Sequence, residues 1–144
     1  MTIKQVSVFL ANRPGALNSF TKILTENGID MRALSLAETS EFGIARVIVD
    51  DPYKTANVIR EAGYISNLTD VVAAAIPDVS GGLNSVLNVL TQNDVNIQYM
   101  YAFLGGPKSD QAYMIFKVDE PKTASAVLGN AGIRTATQEE LSSL

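Results

Sequence analysis

The chain of 144 residues carries a net charge of −4, with 47% hydrophobic and 18% charged residues, and it contains neither cysteine nor histidine. This length fits one ordinary domain or two very small ones, and the composition excludes a disordered chain. The missing residue types exclude thiol chemistry, disulfides, Cys/His metal sites and imidazole catalysis, so we expect no metal and no cofactor.

The first half of the sequence shows strand and helix periodicities in turn. Residues 3–10 place Val6, Val8 and Leu10 on one face, which predicts a half-buried strand. An apolar stripe at helical spacing follows and ends near Gly28. Then come a strand over 29–37, a polar hairpin, a strand over 42–50, a short helix from Pro52 to Gly63 and a weaker strand over 64–68. The predicted order is β-α-β-β-α-β.

The second half of the sequence repeats the first. At an offset of 66 the identical pairs are Gly15/Gly81, Leu17/Leu83, Asn18/Asn84, Ser19/Ser85, Leu24/Leu90, Thr25/Thr91 and Asn27/Asn93. A longer second hairpin then raises the offset to 69, where VDDP (49–52) meets VDEP (118–121). Matching elements, turns and prolines in the same order predict two copies of one fold.

Each copy is predicted to be an α+β unit of the ferredoxin-like type, a four-stranded antiparallel sheet with two helices on one face. The boundary is predicted between two domains over 1–69 and 70–144. A unit of roughly 70 residues has a thin core. We therefore expect the copies to pack together, and we expect a homodimer.

The turn between the first strand and helix of each copy is the candidate binding feature. Pro14 is expected in the first helical turn, and Asn12 and Asp78 are candidate N-caps. The N–H groups of residues 15–17 and 81–83 are expected to point outward at the positive end of a helix dipole, where they suit a carboxylate or phosphate. The alternative is a capped helix start with no ligand.

A free amino acid matches the polar groups of these turns. Backbone N–H groups would bind its carboxylate, and Asp78 or the Asn12 side-chain oxygen would bind its ammonium group. The strand QYMYAF (98–103) places Tyr99, Tyr101 and Phe103 on one face. The equivalent positions of the first copy carry small residues. This aromatic row is either one wall of a pocket or part of a core or interface.

The sequence resembles the ACT domain family. The stretch ANRPGAL (11–17) is similar to the family's (D/N)-R-P-G-x-L turn, and PDVSGGL (77–83) is similar to it with Val79 and Ser80 at the Arg and Pro positions. The resemblance implies amino-acid binding between the turn of one domain and the edge strand of its neighbour. The residues so implied are Asn12, Arg13, Pro14, Gly15, Ala16, Leu17, Ser35, Leu36, Asp78, Val79, Ser80, Gly81, Gly82, Leu83, Tyr99, Met100 and Tyr101.

The resemblance also implies a function. Because the two copies span the whole sequence, we expect a stand-alone, non-catalytic regulatory protein that changes its packing on binding an amino acid and signals to a partner. In this fold Gly105, Gly106 and Pro107 would lie near a neighbour's turn, either as a flap or as a plain solvent loop.

The remaining exclusions concern location and other partners. No apolar run reaches the roughly 20 residues of a membrane span, and the first residues alternate like a strand rather than forming a secretion signal. No basic cluster suits a phosphate backbone. We therefore expect a cytoplasmic protein that binds neither membranes nor nucleic acids.

Two other functions remain open. One is a ligand-free module that builds an oligomer through its sheet edges. The other is an enzyme that uses Tyr99, Tyr101, Lys117, Glu38 or Glu41, although the two carboxylates lie in a polar hairpin without a clustered base.

Overall fold

A computed structural model describes residues 1–38, 41–103 and 111–143, without the side chain of residue 111. The chain divides into a first unit, Lys4–Thr69, and a second unit, Met1–Ile3 with Asp70–Leu144. The flap predicted over 105–107 lies outside the described residues. Among the described residues, no helix combines the length and apolar character that a membrane crossing requires.

The first unit has the predicted β-α-β-β-α-β order. Its elements are β1 (Ile3–Ala11), α1 (Ala16–Glu26), β2 (Met31–Glu38), β3 (Phe42–Val49), α2 (Pro52–Glu61) and the beginning of β4 (Ser66–Pro77). The antiparallel strands lie in the order β2-β3-β1-β4. Alternate residues of β1 and β3 pack against Phe20 and Leu24 of α1 and Ile59 of α2, so both helices cover the same face of the sheet.

The second unit repeats this arrangement. It contains the rest of β4, then α3 (Gly82–Gln92), β5 (Ile97–Ala102), β6 (Gln111–Val118), α4 (Pro121–Asn130) and α5 (Gln138–Ser142). The β4–β6 pairing reproduces the β1–β3 register: Val72 lies opposite Phe116 as Val6 lies opposite Val47. Val86, Leu90 and Leu128 of the helices pack on one face of the strands. The α+β fold with two ferredoxin-like units is confirmed.

Three details differ from the sequence prediction. The last strand of the first copy and the first strand of the second form one continuous strand, β4, because residues 67–76 contain neither glycine nor proline to interrupt it. The predicted final strand of the second copy is reduced to an isolated bridge between Thr135 and Ala74. The short helix α5 was not predicted; the Thr137 side chain accepts a hydrogen bond from the Glu140 N–H and caps it.

The N-terminus of α2 permits a matched test of capping energy. Asp51 accepts a hydrogen bond from the Lys54 N–H at 3.0 Å, whereas Glu120, at the same repeat position before α4, makes no side-chain cap bond. We expect Asp51→Ala to lower the free energy of unfolding by about 0.5–2 kcal/mol. Glu120→Ala should change it by much less in the same urea titration. Equal losses in the two variants would contradict the assigned cap.

Candidate functional site

The turn of the first unit is closed by backbone hydrogen bonds. The Arg13 N–H donates to the Ala11 carbonyl at 3.0 Å, and the Ala16 N–H donates to the Arg13 carbonyl at 3.3 Å. Gly15 then adopts a left-handed conformation with φ of 85° and precedes the helix directly. Glycine suits this position because it has no Cβ to oppose a positive φ.

The turn of the second unit has the same bonds at the same repeat positions. The Val79 N–H donates to the Pro77 carbonyl at 2.8 Å, and the Gly82 N–H donates to the Val79 carbonyl at 3.0 Å. Gly81 has a φ of 84°, which matches that of Gly15. The duplication seen in sequence is therefore a duplication of backbone geometry.

The predicted N-caps are wrong. Gly15 and Gly81 occupy the N-cap positions, and neither helix start has a side-chain cap hydrogen bond. Asn12 and Asp78 precede the first helical residue by four positions, because the closed turn separates them from the helix. Pro14 lies in this turn and not in the first helical turn.

The prediction of three outward N–H groups per turn holds only in part. The N–H groups of Ala16 and Gly82 are used within the turns. Within the described part of the chain, the N–H groups of Gly15 and Leu17 donate no hydrogen bond, and neither do those of Gly81 and Leu83. Each turn thus presents free donors at the positive end of a helix dipole, an arrangement that suits an anion.

A cavity of about 410 Å³ lies on one side of the first turn. We call it the turn cavity; its lining residues are Leu10, Ala11, Arg13, Pro14, Gly15, Ala16, Ser19 and Tyr64. Ser19 and Tyr64 are not among the residues predicted from the sequence. Tyr64 reaches the turn because β4 begins beside β1. The Phe9 N–H donates a hydrogen bond to the Ile65 carbonyl at 3.1 Å there. The β1–β4 adjacency of a ferredoxin-like sheet is the signal from which Tyr64 could have been identified.

Of the two predicted residues on β2, the structure brings one to the turn. Leu36 lines a cavity of about 80 Å³ together with Ala16 and Leu17, on the other side of the turn from Tyr64. Ser35 lies opposite Arg46 and points to the other face of the sheet from Leu36, since successive strand residues alternate. Within the first unit, Leu36 therefore joins the turn and Ser35 does not.

The second turn differs from the first in its side chains. Asp78, Val79 and Ser80 are exposed, and Val79 keeps 70% of its surface accessible. Gly82 is buried, and a Cβ on it would lie 2.1 Å from the Pro77 carbonyl oxygen. A side chain at this position would require the turn or α3 to shift, whereas the first unit has Ala16 at the equivalent position.

The aromatic residues of β5 stack on one another. The rings of Tyr99 and Tyr101 are 6.4 Å apart and inclined by 22°, and Phe103 lies 6.3 Å from Tyr113. Met100 points to the opposite face and packs against the hydrophobic core of the second unit. Tyr99 and Tyr101 therefore share a surface, and Met100 is separated from it.

Of the residues considered for catalysis, Tyr99 lies opposite Lys117 in the β5–β6 pairing of the second unit, whereas Glu38 and Glu41 belong to the first unit. The Lys117 Nζ donates to the Val118 carbonyl at 3.0 Å, and the Glu41 carbonyl accepts from the Asn12 N–H at 3.4 Å. Among the described residues, no group of three or more acidic side chains is arranged to hold a metal ion.

Comparison with known proteins agrees with this architecture. The description of the matching family is "ACT domain pair", and the match covers residues 1–144. No curated protein sequence matches significantly. The structure is similar to that of protein BT0572 from Bacteroides thetaiotaomicron, with a TM-score of 0.91, 33% sequence identity and coverage of 100% of this chain and 98% of that chain.

Two more distant structures share the fold. The regulatory subunit of aspartate kinase from Thermus thermophilus, in its ligand-free form, has a TM-score of 0.64 and 13% identity, with 89% of this chain and 91% of that chain covered. The corresponding subunit from Thermus flavus has a TM-score of 0.65 and 13% identity, with 89% and 88% covered. The whole-length family match and the 33% identical structure show that the chain belongs to the family of ACT domain pairs.

Proposed function

We propose that this chain is a non-catalytic regulatory protein of two ACT domains, 1–69 and 70–144, which binds a free amino acid at its glycine turns. The carboxylate of the ligand accepts hydrogen bonds from the free backbone N–H groups at each helix start. Its ammonium group donates to the Asn12 side-chain oxygen in the first turn or to the Asp78 carboxylate in the second.

One observation carries this proposal: the same turn is built twice and leaves the same donors free. Gly15 and Leu17 in the first unit correspond to Gly81 and Leu83 in the second, and none of these four N–H groups has a partner in the described structure. If the turn served only to start a helix, a capping side chain could accept hydrogen bonds from these N–H groups. Both turns instead have a glycine at the N-cap.

In this proposal a homodimer completes each site. Within its own unit, each of the edge strands β2 and β5 pairs with one described neighbour, β3 and β6 respectively. Their outer peptide groups can accept a strand from a second copy of the chain. The backbone groups of Ser35, Leu36, Tyr99, Met100 and Tyr101 then lie beside a turn of the second copy. A ligand that contacts both copies favours one packing, which a partner protein recognises.

Thermal unfolding with each common amino acid tests the binding step. A ligand at 100 times its Kd stabilises the folded state by about 2.7 kcal/mol. For a chain of this size that corresponds to a rise in Tm of about 5–10 °C. We expect a selective rise with one or a few amino acids.

Gly15→Val and Gly81→Val should each abolish binding at their own turn, because the added side chain occupies the space beside the donors.

The chain offers matched controls for these two variants. Gly28 and Gly132 also have positive φ, 66° and 79°, and a Cβ at either would meet no atom within 4 Å, as at Gly15 and Gly81. Gly28→Val and Gly132→Val therefore introduce comparable backbone strain away from the turns. Ligand-induced stabilisation should persist in the controls. If Gly15→Val and Gly81→Val bind as the controls do, the turns are not the site.

A ligand-free oligomerisation module is the second candidate, and one observation favours it. Phe9 and Phe42 of the first unit are 38% and 40% exposed, and their rings are 5.6 Å apart beside Ile65, which is 71% exposed. Apolar side chains exposed together are typical of contact surfaces. If no amino acid changes Tm while sedimentation shows a stable oligomer, this function replaces amino-acid binding.

A further inference from the structure

The turn cavity of the first unit is rich in hydrogen-bond donors and lacks acidic groups. Its volume of about 410 Å³ falls within the range of small-molecule sites. Its polar side chains are Arg13, Ser19 and Tyr64, and none of its lining residues is Asp or Glu. A ligand that fills it therefore meets a positive, donor-lined surface in addition to the backbone N–H groups.

Arg13 is the charged group of this cavity. Its guanidinium group makes no ion pair and no hydrogen bond in the part of the chain that the structure describes. A guanidinium group binds a carboxylate through two parallel hydrogen bonds. An exposed arginine beside a cavity without a carboxylate of its own suits an anionic group on the ligand.

Two hydroxyl groups accompany Arg13. Tyr64 is half-buried and held in place by its N–H bond to the Ile59 carbonyl at 3.0 Å and by an edge contact with Phe20, with ring centroids 5.8 Å apart. Within the described residues the hydroxyls of Tyr64 and Ser19 have no hydrogen-bond partner. In the second unit, by contrast, the Ser85 hydroxyl donates to the Gly82 carbonyl at 2.7 Å.

The equivalent positions of the second unit carry different chemistry. Val79 replaces Arg13, and Ile133 replaces Tyr64 in the same backbone setting, with its N–H bonded to the Leu128 carbonyl at 2.9 Å. Asp78 replaces Asn12 and adds a negative charge. The second turn thus loses a cation and a hydroxyl and gains a carboxylate, which disfavours an additional anionic group on a ligand.

We propose that the turn cavity of the first unit selects an amino acid whose side chain carries a second carboxylate, and that the second turn lacks this selectivity. This inference rests on the proposed function for the position of the α-carboxylate, at the N–H group of Gly15, which lines the turn cavity. The side-chain carboxylate is bound by Arg13, with hydroxyl donors from Tyr64 and Ser19. The two turns of one chain therefore differ in ligand selectivity.

Calorimetric titration of the full chain with glutamate, glutamine, aspartate and asparagine tests this selectivity. The second-turn variant Gly81→Val serves as background, so that the first site is measured alone. A hydrogen bond to a charged group contributes about 1.5–3 kcal/mol, so Arg13→Val should weaken binding of the acidic amino acids by about 10-fold to 150-fold. Binding of the amides should change by less than about threefold, because they lack the charge that Arg13 contacts.

Lys22→Val is the matched charge control. Lys22 lies on α1, the helix that follows the turn containing Arg13; its side chain is 73% exposed and pairs with Glu26 outside the cavity. The Lys22→Val substitution removes one positive charge, as Arg13→Val does, and should leave glutamate binding unchanged. An equal loss in both variants would mean that Arg13 acts only through net charge, which would contradict the assignment.

Two further ligands separate the inference from the proposed function. Glutarate has two carboxylates and no ammonium group; Arg13-dependent glutarate binding in the absence of amino-acid binding would support the cavity assignment and contradict the proposed function. Equal affinity for glutamate and glutamine, unaffected by Arg13→Val, would contradict the assignment and leave the proposed function in place. If inorganic phosphate binds as tightly as glutamate, the site accepts any anion, and the assignment of the cavity to an acidic amino acid is contradicted.

Discussion

Phe20→Ala is expected to lower the free energy of unfolding by about 3–5 kcal/mol, the largest effect predicted here. Phe20 is completely buried in the core of the first unit, and its ring meets the ring of Tyr64 edge-on. Alanine leaves a cavity that the surrounding side chains of α1, β1 and β3 fill only in part. Since small proteins have a total stability of about 5–15 kcal/mol, the loss is easily measured by urea unfolding.

Phe20→Leu is the matched control. It keeps an apolar side chain of intermediate volume, so the loss should be clearly smaller than that of Phe20→Ala. Both variants remove the ring that supports Tyr64. Both should therefore also lower the affinity for any ligand that binds to the Tyr64 hydroxyl. A Phe20→Ala variant within about 1 kcal/mol of the wild type would contradict the assigned packing.

Gly82→Ala is expected to destabilise the chain by about 1–3 kcal/mol, although alanine is a better helix former than glycine. The new Cβ would lie 2.1 Å from the Pro77 carbonyl oxygen and 3.1 Å from the Pro77 carbonyl carbon. These are backbone atoms, so no side-chain rotation relieves the contact. The second turn must open, or α3 must move away from β4.

Gly129→Ala supplies the opposite expectation for the same chemical change. Gly129 is an exposed residue of α4, and a Cβ there meets no atom within 4 Å. This variant should be neutral or raise the stability by up to about 1 kcal/mol, because alanine has the higher helix propensity. Thermal unfolding of the two variants side by side distinguishes the two effects. If Gly82→Ala is as stable as Gly129→Ala, the close approach to Pro77 does not constrain the turn.

Much of the fold could be predicted from periodicity. Val6, Val8 and Leu10 alternate as a half-buried strand requires, and all are buried. Pro52 and Pro121 both lie at helix starts, as their fixed φ favours. Local signals of this kind depend on a few neighbouring residues, so one sequence suffices to recognise them. The repeat strengthened each signal because every element appears twice.

The candidate site was less predictable. The PGAL and SGGL stretches indicated where the turns lie, but the cap was assigned to Asn12 and Asp78, whereas a closed turn places Gly15 and Gly81 there. Two bonds decide the difference, those from the N–H groups of residues 13 and 16 to carbonyl groups within the turn. N-cap preferences describe the residue immediately before a helix, and they do not predict that a turn with its own backbone hydrogen bonds separates Asn12 or Asp78 from the helix.

The sequence by itself determined the duplicated α+β fold, the position of both glycine turns and the chemical types of the residues around them. Only the tertiary structure decided which residues share a site. Tyr64 lies about fifty positions after Arg13 along the chain and lines the same cavity because β4 begins beside β1. The side chains of Ser35 and Leu36 separate because neighbouring residues of a strand point to opposite faces. Strand pairing brings distant residues together in space, and no local pattern in the sequence specifies which of them meet.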